Sequence, residues 1–244
     1  MIYLTGATND QDEPRLIAGG VGLMVVRGNS YHLRIGRYPF WAADIGMAAS
    51  DADPYLAWLD HLSTRDRCLF AVSPDAYPDA IESQRRGLEF APLIREMGYP
   101  AAVVAQDGAE RLAWPWEDMD CLFVGGERRS RCEWKVSPAA ERLVRAARNA
   151  GKWVHMGRVN SLRRLERARS MGVNSVDGTF VKYWRRKRAG EDSHNRGGAE
   201  LARWTAVLDA ERTLPGFTDF ETPSLPVHRE AALVRVGGGD DTDA

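Results

Sequence analysis

The feature that most constrains this chain is an alternation. Eight short runs rich in apolar and β-branched residues recur along it: MIYLT, GVGLMVV, PFWAAD, CLFAVS, AAVVAQ, CLFVGG, KWVHMG and NSVDGTF. Runs of this length, bounded by polar or glycine-containing segments, predict buried strands. Several are separated by stretches of helical period. DPYLAWLDHLS places Leu56, Leu59 and Leu62 on one face, and AIESQRRGLEFAPLIREMG carries Leu88, Leu93 and Ile94 at matching spacings. SPAAERLVRAARNAG opens on a Ser137-Pro138 cap signal and stops at Gly151. NSLRRLERARSMG repeats the pattern, with Asn160 or Ser161 as cap and Gly172 as stop.

Strands that alternate with helices pair in parallel through helical crossovers. Eight of them predict an α/β chain folded as a compact (β/α)8 TIM-like barrel. An open doubly wound sheet is the rival, and no GxGxxG follows the first strand to support its dinucleotide-binding form. The barrel is expected to occupy residues 1–214, with a C-terminal extension over 215–244. That extension ends in GGGDDTDA, acidic and glycine-rich, and its end is expected to be disordered.

Composition excludes several classes. At 44% hydrophobic and 27% charged, the chain has the make-up of a soluble globular protein. No apolar run approaches a membrane span, and MIYLTGATNDQDEPR lacks the order of a signal peptide, so a cytoplasmic protein without a membrane partner is expected. The three cysteines, Cys68, Cys121 and Cys132, form no CxxC pair, and no metal site is predicted. Cys68 and Cys121 open apolar runs and read as strand residues.

The formal net charge is only -1, yet the charges are unevenly placed. SLRRLERARS and KYWRRKRAG make a basic stretch containing Tyr183 and Trp184. Such a stretch is either a solvated face or a nucleic-acid surface, and its aromatic residues favour neither reading decisively. As a phosphate-binding surface it would use Arg163, Arg164, Lys182, Arg185, Arg186, Lys187 and Arg188.

In a parallel barrel the active site is built at the C-terminal ends of the strands. Those ends carry Asp44, Asp75, Gln106 with Asp107, Gly125 and Gly126, Gly157 and Arg158, and Asp177. Asp107, in QDG, reads better as a turn residue. Asp177 poses the same question more sharply, because the following Gly178 also suits a turn. Converging carboxylates repel one another unless one is partly protonated, which is how active sites shift pKa values. One carboxylate could attack an anomeric carbon while a second manages the proton on the leaving group. His32 reads as a structural histidine and the Trp114/Trp116 pair as packing. His155 is divided equally between barrel packing and the pocket floor.

GNSYHL (Gly28 to Leu33) resembles a segment of the tRNA-guanine transglycosylases. AADIG, SPDAYP, VVAQDG, FVGGE, HMGRVNS and SVDGTF follow in the order of that family's motifs, across roughly Val21 to Phe180. The phrase EWKVS…GKWVHMGRVNSLRRL…GVNSVDGTF looks closest to the short phage-type DNA-guanine transglycosylases, which exchange guanine in DNA for a 7-deazaguanine. The resemblance implies that Asp177 is the nucleophile and Asp44 a second catalytic carboxylate. It implies that Asp75 and Gln106 read the guanine edge, and that Gly125 and Gly126 let backbone amides approach the base. Glu127 would then lie near the base's C7 substituent.

The implied reaction needs no cofactor. Its partners would be double-stranded DNA with the target guanine flipped out and a free preQ0-like base, with a homodimer or partner subunit as a further expectation. The chain also departs from the family. No cysteine follows Cys132, so the zinc subdomain of the tRNA enzymes has no counterpart, and GTFVKYWRRKR replaces the proline-threonine-arginine expected after the nucleophile. The alternatives are a tRNA-guanine transglycosylase, a glycosylase that leaves an abasic site, and a noncatalytic DNA-binding subunit.

Overall fold

The computed structural model describes residues 1–6, 13–46, 52–126 and 133–180. All eight apolar runs are strands: β1 (Ile2–Thr5), β2 (Gly22–Val26), β3 (Trp41–Asp44), β4 (Cys68–Val72), β5 (Ala101–Ala105), β6 (Cys121–Val124), β7 (Trp153–Met156) and β8 (Ser175–Asp177). Every neighbouring pair is parallel, and β8 returns to pair with β1, with Leu4 opposite Asp177. The chain is therefore a closed (β/α)8 barrel, and the open-sheet alternative is excluded.

Among the described residues the α-helices are α1 (Glu13–Ala18), α2 (Ala52–Asp60), α3 (Ala80–Glu96), α4 (Pro138–Asn149) and α5 (Leu162–Ser170). Ser137 caps α4 by accepting from Ala140 N, with Pro138 at the first position. Ser161, rather than Asn160, caps α5 by accepting from Arg164 N. Asn160 has another task, since its Oδ1 accepts from Thr179 N at 2.6 Å and so ties the loop after β7 to the loop after β8. The GNSYHL segment lies mostly in a 3-10 segment, Ser30–Arg37, in place of an α-helix between β2 and β3. Its underside is held by the buried carboxylate of Glu13, which accepts from Arg34, Arg37 and Tyr38.

The packing face of α3 differs from the leucine stripe that its spacing suggests. Its buried positions are Ser83, Gly87, Ala91 and Ile94, while Leu93 is 39% exposed. Close approach of helix to strand is the reason: a Cβ on Gly87 would lie 2.5 Å from Val103 Cγ1 on β5. Small residues set that spacing; of the three residues expected on the face, Ile94 is buried and Leu93 falls to the edge.

Alternation along the strands sorts side chains into two layers. Outward residues such as Val103, Leu122, Val154 and Val176 join the helices. Inward residues form a plug that includes Leu4, Met24, Ala42, Phe70, Val72, Ala102, Val104 and Cys121. Continuing the same parity one step toward the strand ends brings Asp44, Gln106, Gly125, Gly157 and Asp177 to the top of that plug. β4 gains one residue against β3, where Trp41 faces Cys68 but Ala43 faces Ala71. Leu69 and Phe70 consequently both join the interior cluster. Among the described residues, no helix is long and apolar enough to cross a membrane.

Candidate active site

A cavity of about 360 Å³ opens at the C-terminal end of the barrel. Asp44, Asp75, Gln106, Gly125, Gly126 and Asp177 all line it. Residues from β3, β4, β5, β6 and β8 and the segments after them thus meet around one space, over a floor that includes Val72, Val104 and Phe123. Such a volume lies within the roughly 300–1,000 Å³ typical of small-ligand sites.

Asp177 does not serve its local turn. Its Oδ1 accepts from Arg158 N at 2.7 Å, on the loop after the neighbouring strand β7, and faces His155 Nε2 at 3.4 Å. Its neighbour Gly178 is demanded by crowding. A Cβ there would lie 2.5 Å from the Val159 carbonyl oxygen and 2.7 Å from both Asn160 Oδ1 and the Tyr3 hydroxyl. The Asp-Gly pair is therefore a carboxylate on a strand tip followed by a residue with no room for a side chain.

Asp44 Oδ1 accepts from Gly46 N at 3.0 Å. Burial pushes its carboxyl up to about 6, with the charges of Asp177 and Asp75 acting in the same direction and the Gly46 amide and Arg158 opposing. The repulsion expected from converging carboxylates thus falls on Asp44, the group held by a single amide. Burial raises Asp75 as well, against the hydrogen bond from Gln106 and the charges of Arg158 and Arg86.

Gln106 is almost fully enclosed and fixed at both ends of its amide. Its Nε2 donates to Asp75 Oδ2 at 2.6 Å, and its Oε1 accepts from Gly126 N at 3.0 Å. One side chain therefore sets the orientation of the Asp75 carboxylate and of the diglycine backbone. A Cβ on Gly125 would lie 3.1 Å from Gln106 Oε1, a tight contact, and Gly126 has φ +84°, a backbone that favours glycine. Asp107 follows in a turn, as expected.

Three further groups complete the site: Lys135, which the sequence did not single out, Arg158, read there only as a strand-end residue, and His155, read there as either packing or pocket floor. Lys135, in a 3-10 turn after β6, is buried and donates from Nζ to the Gly157 carbonyl at 2.8 Å. Burial lowers its ammonium to about 8, against the attraction of Asp177. Arg158 stands at φ 58°, a left-handed backbone unusual for a residue with a Cβ. Its guanidinium lies 6.0 Å from the ring centre of Tyr77, and both residues line the cavity. His155 is fully buried between Phe70 and Phe123, so it both packs the barrel and reaches the site.

Other expectations are placed as follows. His32 bonds the Asn29 carbonyl through Nδ1 at 2.8 Å and meets Trp58 edge-on. Trp114 and Trp116 stack on each other 5.6 Å apart, away from the cavity lining. Cys68 and Cys121 are buried free thiols on strands. Arg163 and Arg164 lie in the first turn of α5. Arg164 is engaged with Glu133 at 2.7 Å, whereas Arg163, 3.5 Å from the same carboxylate, is 81% exposed. Lys182, Arg185, Arg186, Lys187 and Arg188, Glu127, Cys132 and the 215–244 extension lie outside the described residues.

No family model and no curated protein matches the chain. Solved structures do. The phosphoribosyl anthranilate isomerase of Thermus thermophilus superposes with a TM-score of 0.53 at 16% identity, covering 86% of this chain and 99% of that one. A mutant tryptophan synthase alpha-subunit from Pyrococcus furiosus gives 0.50 at 14% identity, covering 85% and 96%. At such identities the likeness establishes the (β/α)8 fold.

Proposed function

We infer that this chain is a glycosyltransferase that exchanges guanine in DNA for a 7-deazaguanine through a glycosyl-aspartate intermediate. The observation that carries the reading is the convergence of Asp177, Asp44, Asp75, Gln106 and the Gly125-Gly126 backbone on one cavity at the strand ends. Those are the residues that the transglycosylase resemblance singles out. That the barrel neighbours are enzymes by name agrees with a catalytic role.

The chemistry assigns each group a task. The target nucleoside flips out of the duplex into the cavity, at a cost of a few kcal/mol. A carboxylate accepts from the two N–H groups on the guanine edge, which suits Asp75, oriented by Gln106. Asp177 attacks C1′ and the C1′–N9 bond breaks. Asp44, protonated in part near neutrality, gives its proton to the departing base. The incoming 7-deazaguanine returns a proton to Asp44 as its N9 bonds to C1′, and the Asp177 ester breaks. Two displacements at one carbon give retention. The exposed Arg163 is suited to a DNA phosphate, and Arg164 could serve only by leaving Glu133.

The test is incorporation of a labelled 7-deazaguanine into duplex DNA, with Asp177→Asn and Asp44→Asn variants and tRNA in parallel. Label entering DNA with wild-type protein and lost in Asp177→Asn is the expected result. Label entering tRNA alone would move the substrate to RNA, and abasic sites without label would make the protein a glycosylase. DNA binding with no reaction on either polymer would make it a noncatalytic subunit.

A further inference from the structure

A continuous chain of hydrogen bonds, its middle link buried, ends on Asp177. Trp153 Nε1, which can only donate, lies 2.8 Å from Ser175 Oγ. Ser175 Oγ lies 2.9 Å from His155 Nδ1, and His155 Nε2 lies 3.4 Å from Asp177 Oδ1. Ser175 and His155 are both fully buried.

The carboxylate sets the direction of the rest. An ionised Asp177 can only accept, so the His155 hydrogen that faces it is on Nε2. Nδ1 is then the acceptor, and the Ser175 hydroxyl donates to it while taking the Trp153 N–H on a lone pair. The reverse tautomer would aim the Nε2 lone pair at an oxygen of like partial charge. The ring cannot turn away, since Phe70 and Phe123 hold it with centroids 4.9 and 4.7 Å distant. The last link, at 3.4 Å, is long for a hydrogen bond.

A second donor reaches the same oxygen. The peptide between Gly157 and Arg158 is gripped at both ends: Lys135 Nζ donates to its carbonyl, and its N–H donates to Asp177 Oδ1 at 2.7 Å. A Cβ on Gly157 would lie 2.8 Å from the Phe123 ring, so that peptide is also confined sideways. Both donors thus converge on Oδ1. Among the described residues Oδ2 has no hydrogen-bond partner.

We propose that His155, as its neutral Nε2–H tautomer, is the positioning residue of Asp177, holding Oδ1 so that Oδ2 is the oxygen that attacks C1′. The identity of the reaction rests on the transglycosylase reading; the hydrogen-bond chain does not. Burial keeps the imidazole neutral, opposing Asp177, while Lys135 acts with burial. The Cys121 thiol of β6, the remaining titratable neighbour, is itself held neutral by burial.

Two measurements test this. Nitrogen-15 spectra of histidine-labelled protein, with His155→Gln to assign the signal, should show a neutral ring protonated at Nε2 at pH 6.5. Base-exchange kinetics should show His155→Leu slowed about 100-fold in kcat with little change in KM for the free base. His155→Gln, whose amide can still donate to Oδ1, should recover most of that loss. An Nδ1–H or cationic ring, an unchanged kcat in His155→Leu, or a His155→Gln as slow as His155→Leu would each overturn the proposal. If wild-type protein exchanges no base, the transglycosylase reading falls by itself, and the tautomer still decides whether His155 holds Asp177.

Discussion

Replacing Asp44 by asparagine should make this protein more stable at neutral pH while removing its activity. The folded protein raises the Asp44 carboxyl from 3.8 to about 6. A group whose pKa is raised on folding binds its proton more tightly in the native state than in the unfolded chain. Its contribution is fully present below about pH 4 and is lost as pH rises through about 6. Above that the native protein carries a carboxylate it has desolvated and set beside Asp177 and Asp75. Two pKa units at 1.36 kcal/mol each put the cost at about 3 kcal/mol, and about 1–3 is expected once water entering through the cavity mouth is allowed for. Asparagine keeps the Oδ1 acceptor for Gly46 N and cannot ionise. Urea unfolding followed by tryptophan fluorescence, at pH 4.5, 6.0 and 7.5, should show the Asp44→Asn advantage growing from near zero to about 1–3 kcal/mol. An advantage that does not vary with pH, or a variant less stable than wild type at pH 7.5, would refute the electrostatic reasoning.

Lys135→Met tests the opposite sign. The Lys135 ammonium is lowered from 10.5 to about 8, so wild-type stability should climb by about 2 kcal/mol between pH 8 and 10, and the methionine variant should lack that climb in the same urea series. Gly178→Ala should cost about 1–3 kcal/mol, read as a lower urea midpoint, because its Cβ would press on three oxygens at once. Gln106→Leu should free Asp75 and the Gly126 amide together. A KM for the free base raised at least tenfold is expected, and an unchanged KM would show that Gln106 orients neither.

The barrel was legible because its grammar is local. Each strand is a short apolar run with a polar or glycine stop, and Ser137-Pro138 announces α4 in the residues that cap it. The rim was legible for a related reason: the side-chain period of two that buries Ala102 and Val104 also points Gln106 inward. The α3 face was not, because hydrophobic periodicity weighs leucines, whereas the contact with β5 is set by what is absent at Gly87. The Asp-Gly pair at Asp177 was ambiguous for a different cause. A turn and a strand-tip carboxylate share the same dipeptide, and only the direction of the Asp177 side chain, away from its own turn and toward Arg158 N, separates them.

Lys135 shows where a sequence falls silent about a site, and His155 where it leaves two readings open, even when the principal residues are readable. Neither closes a strand end: Lys135 sits in a turn well beyond β6, and His155 lies one position below the rim. Lys135 reaches Asp177 by way of a peptide carbonyl, and His155 faces Asp177 directly through Nε2 while Ser175 occupies its Nδ1. The anionic rim makes such partners necessary. Three aspartates around a partly enclosed cavity need cations and oriented donors close by, and these two residues, with Arg158, supply them from beneath and beside the pocket. Asp44, with one amide donor, is the carboxyl that burial raises to about 6, and Asp75 is raised by burial against its bond from Gln106. Burial and donor support together set apart a carboxylate held by two donors on a single oxygen from one able to exchange a proton near neutrality.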